Sequence, residues 1–98
     1  MKFEVVATGS FQEQFNNLSE KHQRQVKKKV ELIEQNPFRS KAIHSKLYSR
    51  VFRVRLNIQG SETRLIYVVL GSKIILVCLL DRADEYRDLE KYLAKIET

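Results

Sequence analysis

Apolar and polar positions along the chain follow two different periods, and the change from one to the other falls in the middle of the sequence. Lys2 to Ala7 reads as a short first strand. Ser10 and Glu13 then form an S-x-x-E capping box ahead of Phe11, Phe15 and Leu18, which predicts a short helix starting there. A second helix is predicted from about Ser19 to Gln35, with Val26, Val30 and Ile33 on one stripe. Asn36-Pro37 ends it, because the residue before a proline is pushed out of the α region. The two helices make an αα-hairpin.

From Val51 the period becomes two. VFRVRLNI places Phe52, Val54, Leu56 and Ile58 on one face, with Val51, Arg53, Arg55 and Asn57 on the other. Gln59 to Glu62 is the predicted turn, TRLIYVVL the next strand, and Gly71-Ser72 a two-residue hairpin signal leading into KIILVCLL. A last helix is expected from near Asp84, with Tyr86, Leu89, Leu93 and Ile96 along one side. The order predicts an α+β fold: N-terminal strand, αα-hairpin, three-stranded antiparallel meander and C-terminal helix. The hairpin of helices should cover the face bearing Phe52, Val54, Leu56 and Leu65. With 98 residues and no repeat or linker, residues 1–98 are expected to form one domain.

Register follows from the turn. If a four-residue turn closes a regular hairpin, Ile58 pairs with Thr63 and Asn57 lies opposite Arg64. Arg53, Arg55 and Arg64 then share one face. Arg82 directly follows the third strand of the meander and Tyr86 comes four residues later, so neighbouring strand ends would bring both towards Arg64. Guanidinium forks clamp phosphates and aromatic rings stack on unpaired bases, so this set suits RNA. The plainer alternatives are a solvent-facing strand surface for Arg53 and Arg55, and a core position for Tyr86 with its hydroxyl at the surface.

Charge points the same way. Eighteen Lys and Arg against twelve Asp and Glu leave a formal charge of +6, which favours polyanionic partners. Lys21, Arg24 and Lys28, with Lys27 and Lys29 alongside, lie on the outer surface of the second predicted helix, either as a solvated face or as a guide for a phosphate backbone. Cys78 is the one cysteine and sits within IILVCLL, where a buried, inert thiol is expected. His22 and His44 lack partners at ligand spacing, so neither a metal nor another cofactor is expected. The N-terminus has no apolar signal-peptide core and no apolar run is long enough to span a bilayer, which predicts a cytoplasmic protein without membrane contact.

The succession KLYSRVFRVRL, ETRLIYVVL and KIILVCLLDRADEY resembles the RelE/ParE superfamily of toxins from type II toxin–antitoxin systems, and the preceding αα-hairpin agrees with that layout. The match is clearest from Lys46 to Tyr86. The resemblance implies a ribosome-dependent endoribonuclease, an mRNA interferase that inhibits translation by cutting the messenger in the ribosomal A site and is held inactive by a cognate antitoxin. By motif position the basic pair of the strand falls on Arg53 and Arg55, the next-strand arginine on Arg64, and the late pair on Arg82 and Tyr86; Lys46 joins Arg53 and Arg55 as an RNA contact. Arginines stand where the RelE type has lysines, and the His-Tyr pair of the YoeB-like branch is missing. The implied chemistry is metal-free attack of the ribose 2′-hydroxyl on the adjacent phosphate. Arg53, Arg55 and Arg64 would stabilise transition-state charge, since an arginine is always protonated. Tyr86 would act as base or orienter and Arg82 as the phosphate or leaving-group contact, with His44 a spare candidate base. Two other functions fit the superfamily: a ParE-like inhibitor of DNA gyrase, and a non-catalytic RNA-binding relative.

Overall fold

The computed structural model describes residues 2–81 and 88–96. Strand β1 (Glu4–Ala7) leads into helices α1 (Gly9–Asn16) and α2 (Glu20–Gln35). Strands β2 (Lys41–Ile43), β3 (Val51–Ile58), β4 (Ser61–Leu70) and β5 (Lys73–Asp81) follow, and then helix α3 (Leu89–Ala94). The strands form one five-stranded sheet in the order β1-β5-β4-β3-β2, with β1 parallel to β5 and the remaining pairs antiparallel. The α+β expectation and its meander are both present. The sheet also gains β2 at its far edge, a strand of three residues that is too short to show any alternation.

Local sequence explains most element boundaries, with one correction. Helix α1 is capped by Thr8, not by a Ser10–Glu13 box: the Thr8 hydroxyl oxygen accepts the Phe11 N–H at 3.1 Å and itself donates to the Val77 carbonyl at 2.7 Å. The Thr8 N–H meanwhile donates to the Leu76 carbonyl at 3.0 Å. A residue tied to β5 through both backbone and side chain starts the helix where the strand ends, and that tertiary anchor outcompetes the box two residues later. Ser19 caps α2, and Asn36 leaves it in extended geometry (φ −156°, ψ 90°) ahead of Pro37.

Both faces of the sheet are buried, by different helices. On one, Phe11, Val26 and Ile33 pack against Phe52, Leu56, Leu65 and Tyr67, as the strand pattern predicts. Tyr67 stacks on Phe52 at 5.4 Å and donates its hydroxyl to the Pro37 carbonyl at 2.6 Å. Gln14 locks α1 to the far end of β5: its amide donates to the Leu79 carbonyl at 2.9 Å and accepts the Leu79 N–H at 2.7 Å.

On the other face, Leu89, Leu93 and Ile96 cover Val51, Ile66, Val68, Val77, Cys78 and Leu80. Each fully buried leucine contributes about 2 kcal/mol, enough for a helix of six residues to hold its place. Strand β5 is therefore enclosed on both sides, which is why IILVCLL is continuously apolar instead of alternating. Its register shifts once: Ile66 pairs with Cys78 but Tyr67 with Leu76, so Val77 is a bulge residue, and Val77 and Cys78 both enter the cluster beneath α3. The Cys78 thiol is fully buried, and burial pushes its pKa up to about 12, so it packs as a small apolar group.

Candidate functional site

The β3–β4 hairpin builds the basic surface. Its turn has two residues, Gln59 and Gly60, both left-handed (φ 52° and 79°), so Ile58 pairs with Ser61 and not with Thr63. That corrects the four-residue turn expected from the sequence. The left-handed pair matches the right-handed strand twist, and this favours the tight turn even with a glutamine in its first position. Partners move by two residues, an even number, so every side chain keeps its face. Arg55 now lies opposite Arg64, and Asn57 lies opposite Glu62.

Arg53, Arg55 and Arg64 thus project from the same face of the sheet, the one that α3 covers further along. Arg53 pairs with Ile66 on one side and with Lys41 of β2 on the other, which adds a fourth cation to the row. Arg55 is exposed and Arg53 half-buried. The Arg64 side chain is only 13% exposed and its Nη2 lies 3.4 Å from Oε2 of Glu62, a side chain 31% exposed. Leucines and valines of the α3 cluster fill the adjoining part of the face, and the enclosed Arg64 guanidinium lies where electrostatic interactions are stronger than on an open surface.

Lys46 lies in the loop between β2 and β3, exposed, with its backbone N–H donating to Glu90 Oε1 of α3 at 3.3 Å. Arg82 and Tyr86, together with the beginning of the last predicted helix near Asp84, lie outside the described residues. His44 is exposed in the same loop as Lys46. His22 has a structural position: its Nδ1 is 2.9 Å from the Ser19 hydroxyl and its Nε2 accepts the Gln59 N–H at 3.4 Å, which ties α2 to the β3–β4 turn. The exposed Lys21, Arg24, Lys27 and Lys28 of α2 belong to the helical layer on the opposite side of the sheet from the arginines. Among the described residues no three His, Cys, Asp or Glu side chains gather as a metal site would need, and no helix is long and apolar enough to cross a membrane.

Sequence reasoning missed Lys41 and Glu62. Lys41 enters the row only through the pairing of β2, for which no local pattern exists. Glu62 was assigned to the turn, although Gly60 was the available sign that the turn could close earlier.

No protein-family model and no curated protein sequence matches the chain. A solved structure does: a double arginine-to-alanine mutant of the Escherichia coli toxin RelE in the free state, with a TM-score of 0.76 and 15% sequence identity, covering 99% of this chain and 100% of that one. The chain has the RelE fold. The likeness to RelE spans nearly the whole chain, so the fold expected from the three strand motifs and the αα-hairpin is present in the backbone course. The RelE fold here carries its basic row across β2, β3 and β4.

Proposed function

We propose that this protein is the toxin of a toxin–antitoxin pair, an endoribonuclease that acts in the cytoplasm on messenger RNA in the ribosomal A site and is neutralised by a cognate antitoxin. The observation behind this reading is the opposed pair Arg55 and Arg64, flanked by Arg53 and Lys41, on one face of a RelE fold. Four cations on one face give that surface a positive potential that attracts a polyanion.

In the proposed reaction Arg53, Arg55 and Lys46 hold the RNA backbone, and Arg64 stabilises the charge that develops as the ribose 2′-hydroxyl attacks the neighbouring phosphate. Arg64 suits that task because it is mostly enclosed and its guanidinium is oriented by Glu62 before substrate arrives. Arg82 and Tyr86 complete the proposed set as phosphate contact and 2′-hydroxyl orienter.

The test is a translation reaction with added protein, followed by mapping of messenger 5′ ends. New 5′ ends within translated codons are expected, and they should vanish with Arg64→Ala. Intact messengers would reject the nuclease reading, and gyrase-dependent DNA breaks in their place would assign the chain to the gyrase-inhibiting branch.

A further inference from the structure

Strand β3 is paired along its whole length on one side only: β4 accompanies it from Val51 to Ile58, whereas β2 covers Val51 to Arg53 and stops. The two-residue turn makes Ile58 and Ser61 a hydrogen-bonded pair, so even-numbered residues of β3 turn their backbone groups towards β4. The bond from the Val69 N–H to the Arg50 carbonyl has the same parity. Arg55 and Asn57 therefore turn theirs outwards, beyond the end of β2. Gln25 of α2 takes up the Asn57 carbonyl at 3.0 Å. The N–H and C=O of Arg55 and the N–H of Asn57 meet no partner among the described residues. Alongside this edge, α2, the segment entering β2 and Val54 of β3 enclose a groove of about 510 Å³. Leu32, Ile33 and Val54 give it an apolar lining, and Leu32 is 57% exposed. Lys29 and Arg39 line it too, with no described carboxylate among its walls, and Lys41 and Arg55 flank the same edge from the opposite face of the sheet. These four cations make no ion pair with any described residue.

We propose that this edge of β3 receives an extended segment of a protein partner in which acidic and apolar residues alternate. An added strand would continue the sheet past the end of β2 and bond to the outward backbone groups of Arg55 and Asn57. Its side chains would point to the two faces in turn. Those beside Val54 and Leu56 enter the groove against Leu32, which favours apolar residues. Those beside Arg55 and Asn57 lie on the arginine face, where a carboxylate meets Arg55 and Lys41. A second copy of this chain is the wrong occupant, because pairing the edge with itself sets Arg55 and its neighbouring cations against their own copies. Cations along an edge guard it against like chains, and the same charges select an acidic strand. RNA would answer the cations, but it offers no ladder of alternating donors and acceptors and has no use for an exposed leucine. A segment bound here covers Arg55, so it would compete with RNA. That consequence rests on the nuclease reading above, and the docking itself does not.

The probe is a fluorescein-labelled peptide of alternating Val and Glu, titrated against the full chain by anisotropy while amide exchange is followed by NMR. Binding should protect the N–H groups of Arg55 and Asn57. Methylating the peptide nitrogens on the edge that meets β3 should weaken binding about tenfold, the size of one or two lost main-chain hydrogen bonds. Leu32→Glu, at an exposed helix position outside the proposed RNA contacts, should weaken it by a similar factor, and a peptide of alternating Val and Lys should not bind. Asn57→Pro removes an outward N–H that the ladder with β4 does not use and should act like the methylated peptide; if that variant does not fold, the methylated peptide on wild type decides. Equal binding of the methylated and unmethylated peptides overturns the proposal, because attraction by charge alone would then suffice. So does absence of binding, and so does a single-stranded uridine oligonucleotide that protects Arg55 and Asn57 where the peptide does not. Peptide binding is read without any messenger: a protein that cuts no RNA leaves this result standing, whereas an unprotected edge with cleavage intact sinks the docking alone.

Discussion

Arg55 and Arg64 are direct cross-strand partners in the β3–β4 ladder, two cations on one face of a sheet with a carboxylate, Glu62, against only the second of them. Opposed like charges cost a sheet up to about 1 kcal/mol. The exposed member, Arg55, can therefore be exchanged to separate stability from function. Arg55→Thr should raise the urea midpoint, by about 0.5 kcal/mol in stability, while weakening binding to RNA in a salt-dependent titration. A variant less stable than wild type would mean that Arg55 is already neutralised within the fold.

Gln59 occupies the first central position of a turn whose two residues are both left-handed. Asparagine tolerates that region better than glutamine because its short side chain bonds locally to the backbone. Gln59→Asn is expected to stabilise the hairpin by about 0.5 kcal/mol, since left-handed strain at a non-glycine residue is of the order of 1 kcal/mol. Thermal melts of the two proteins check it, and the arginine register should be unchanged.

Thr8 performs two tasks with one hydroxyl, capping α1 and holding the Val77 carbonyl at the bulge of β5. Thr8→Ala should cost about 1–2 kcal/mol, whereas Thr8→Ser, which keeps the hydroxyl, should lose much less. Amide exchange would show the loss concentrated in α1 and around Val77.

Alkaline pH should unfold the protein through two buried acids. Burial pushes the Cys78 thiol from 9.0 to about 12, and it raises the Tyr67 phenol above its ordinary value despite a hydrogen bond with Ser40 that pulls it down. Both groups hold their protons more tightly folded than unfolded. Their stabilisation is complete below about pH 9, where the unfolded thiol begins to ionise, and is lost as the pH climbs towards 12. Denaturation midpoints between pH 8 and 11 on a scale of about 1.4 kcal/mol per pKa unit would follow this decline. In Cys78→Ala the slope should be shallower, although the protein starts less stable because of the cavity. A slope equal to wild type would exclude the thiol as a source.

Strand faces and helix stripes were legible in the sequence because they depend on local periods. Phe52, Leu56 and Leu65 meet Phe11, Val26 and Ile33 as their spacing requires, and Arg53, Arg55 and Arg64 share a face because alternation depends only on parity. Even a turn misjudged by two residues left that parity intact.

The remainder required the assembled chain. Which arginine faces which depends on where the hairpin closes, and Gln59 advertises no tight turn. Lys41 joins the row only when β2 docks on β3, and α1 begins at Thr8 because that residue is tied to β5. The packing of α3 on the arginine face, with an apolar stripe that any apolar surface could have received, is likewise a matter of which surface the other helices left uncovered. Periodicity is a property of neighbouring residues and can be read from them. Register, the ion pair of Glu62 with Arg64 and the choice of a helix's partner are contacts between segments far apart in sequence, and only the folded chain selects among them.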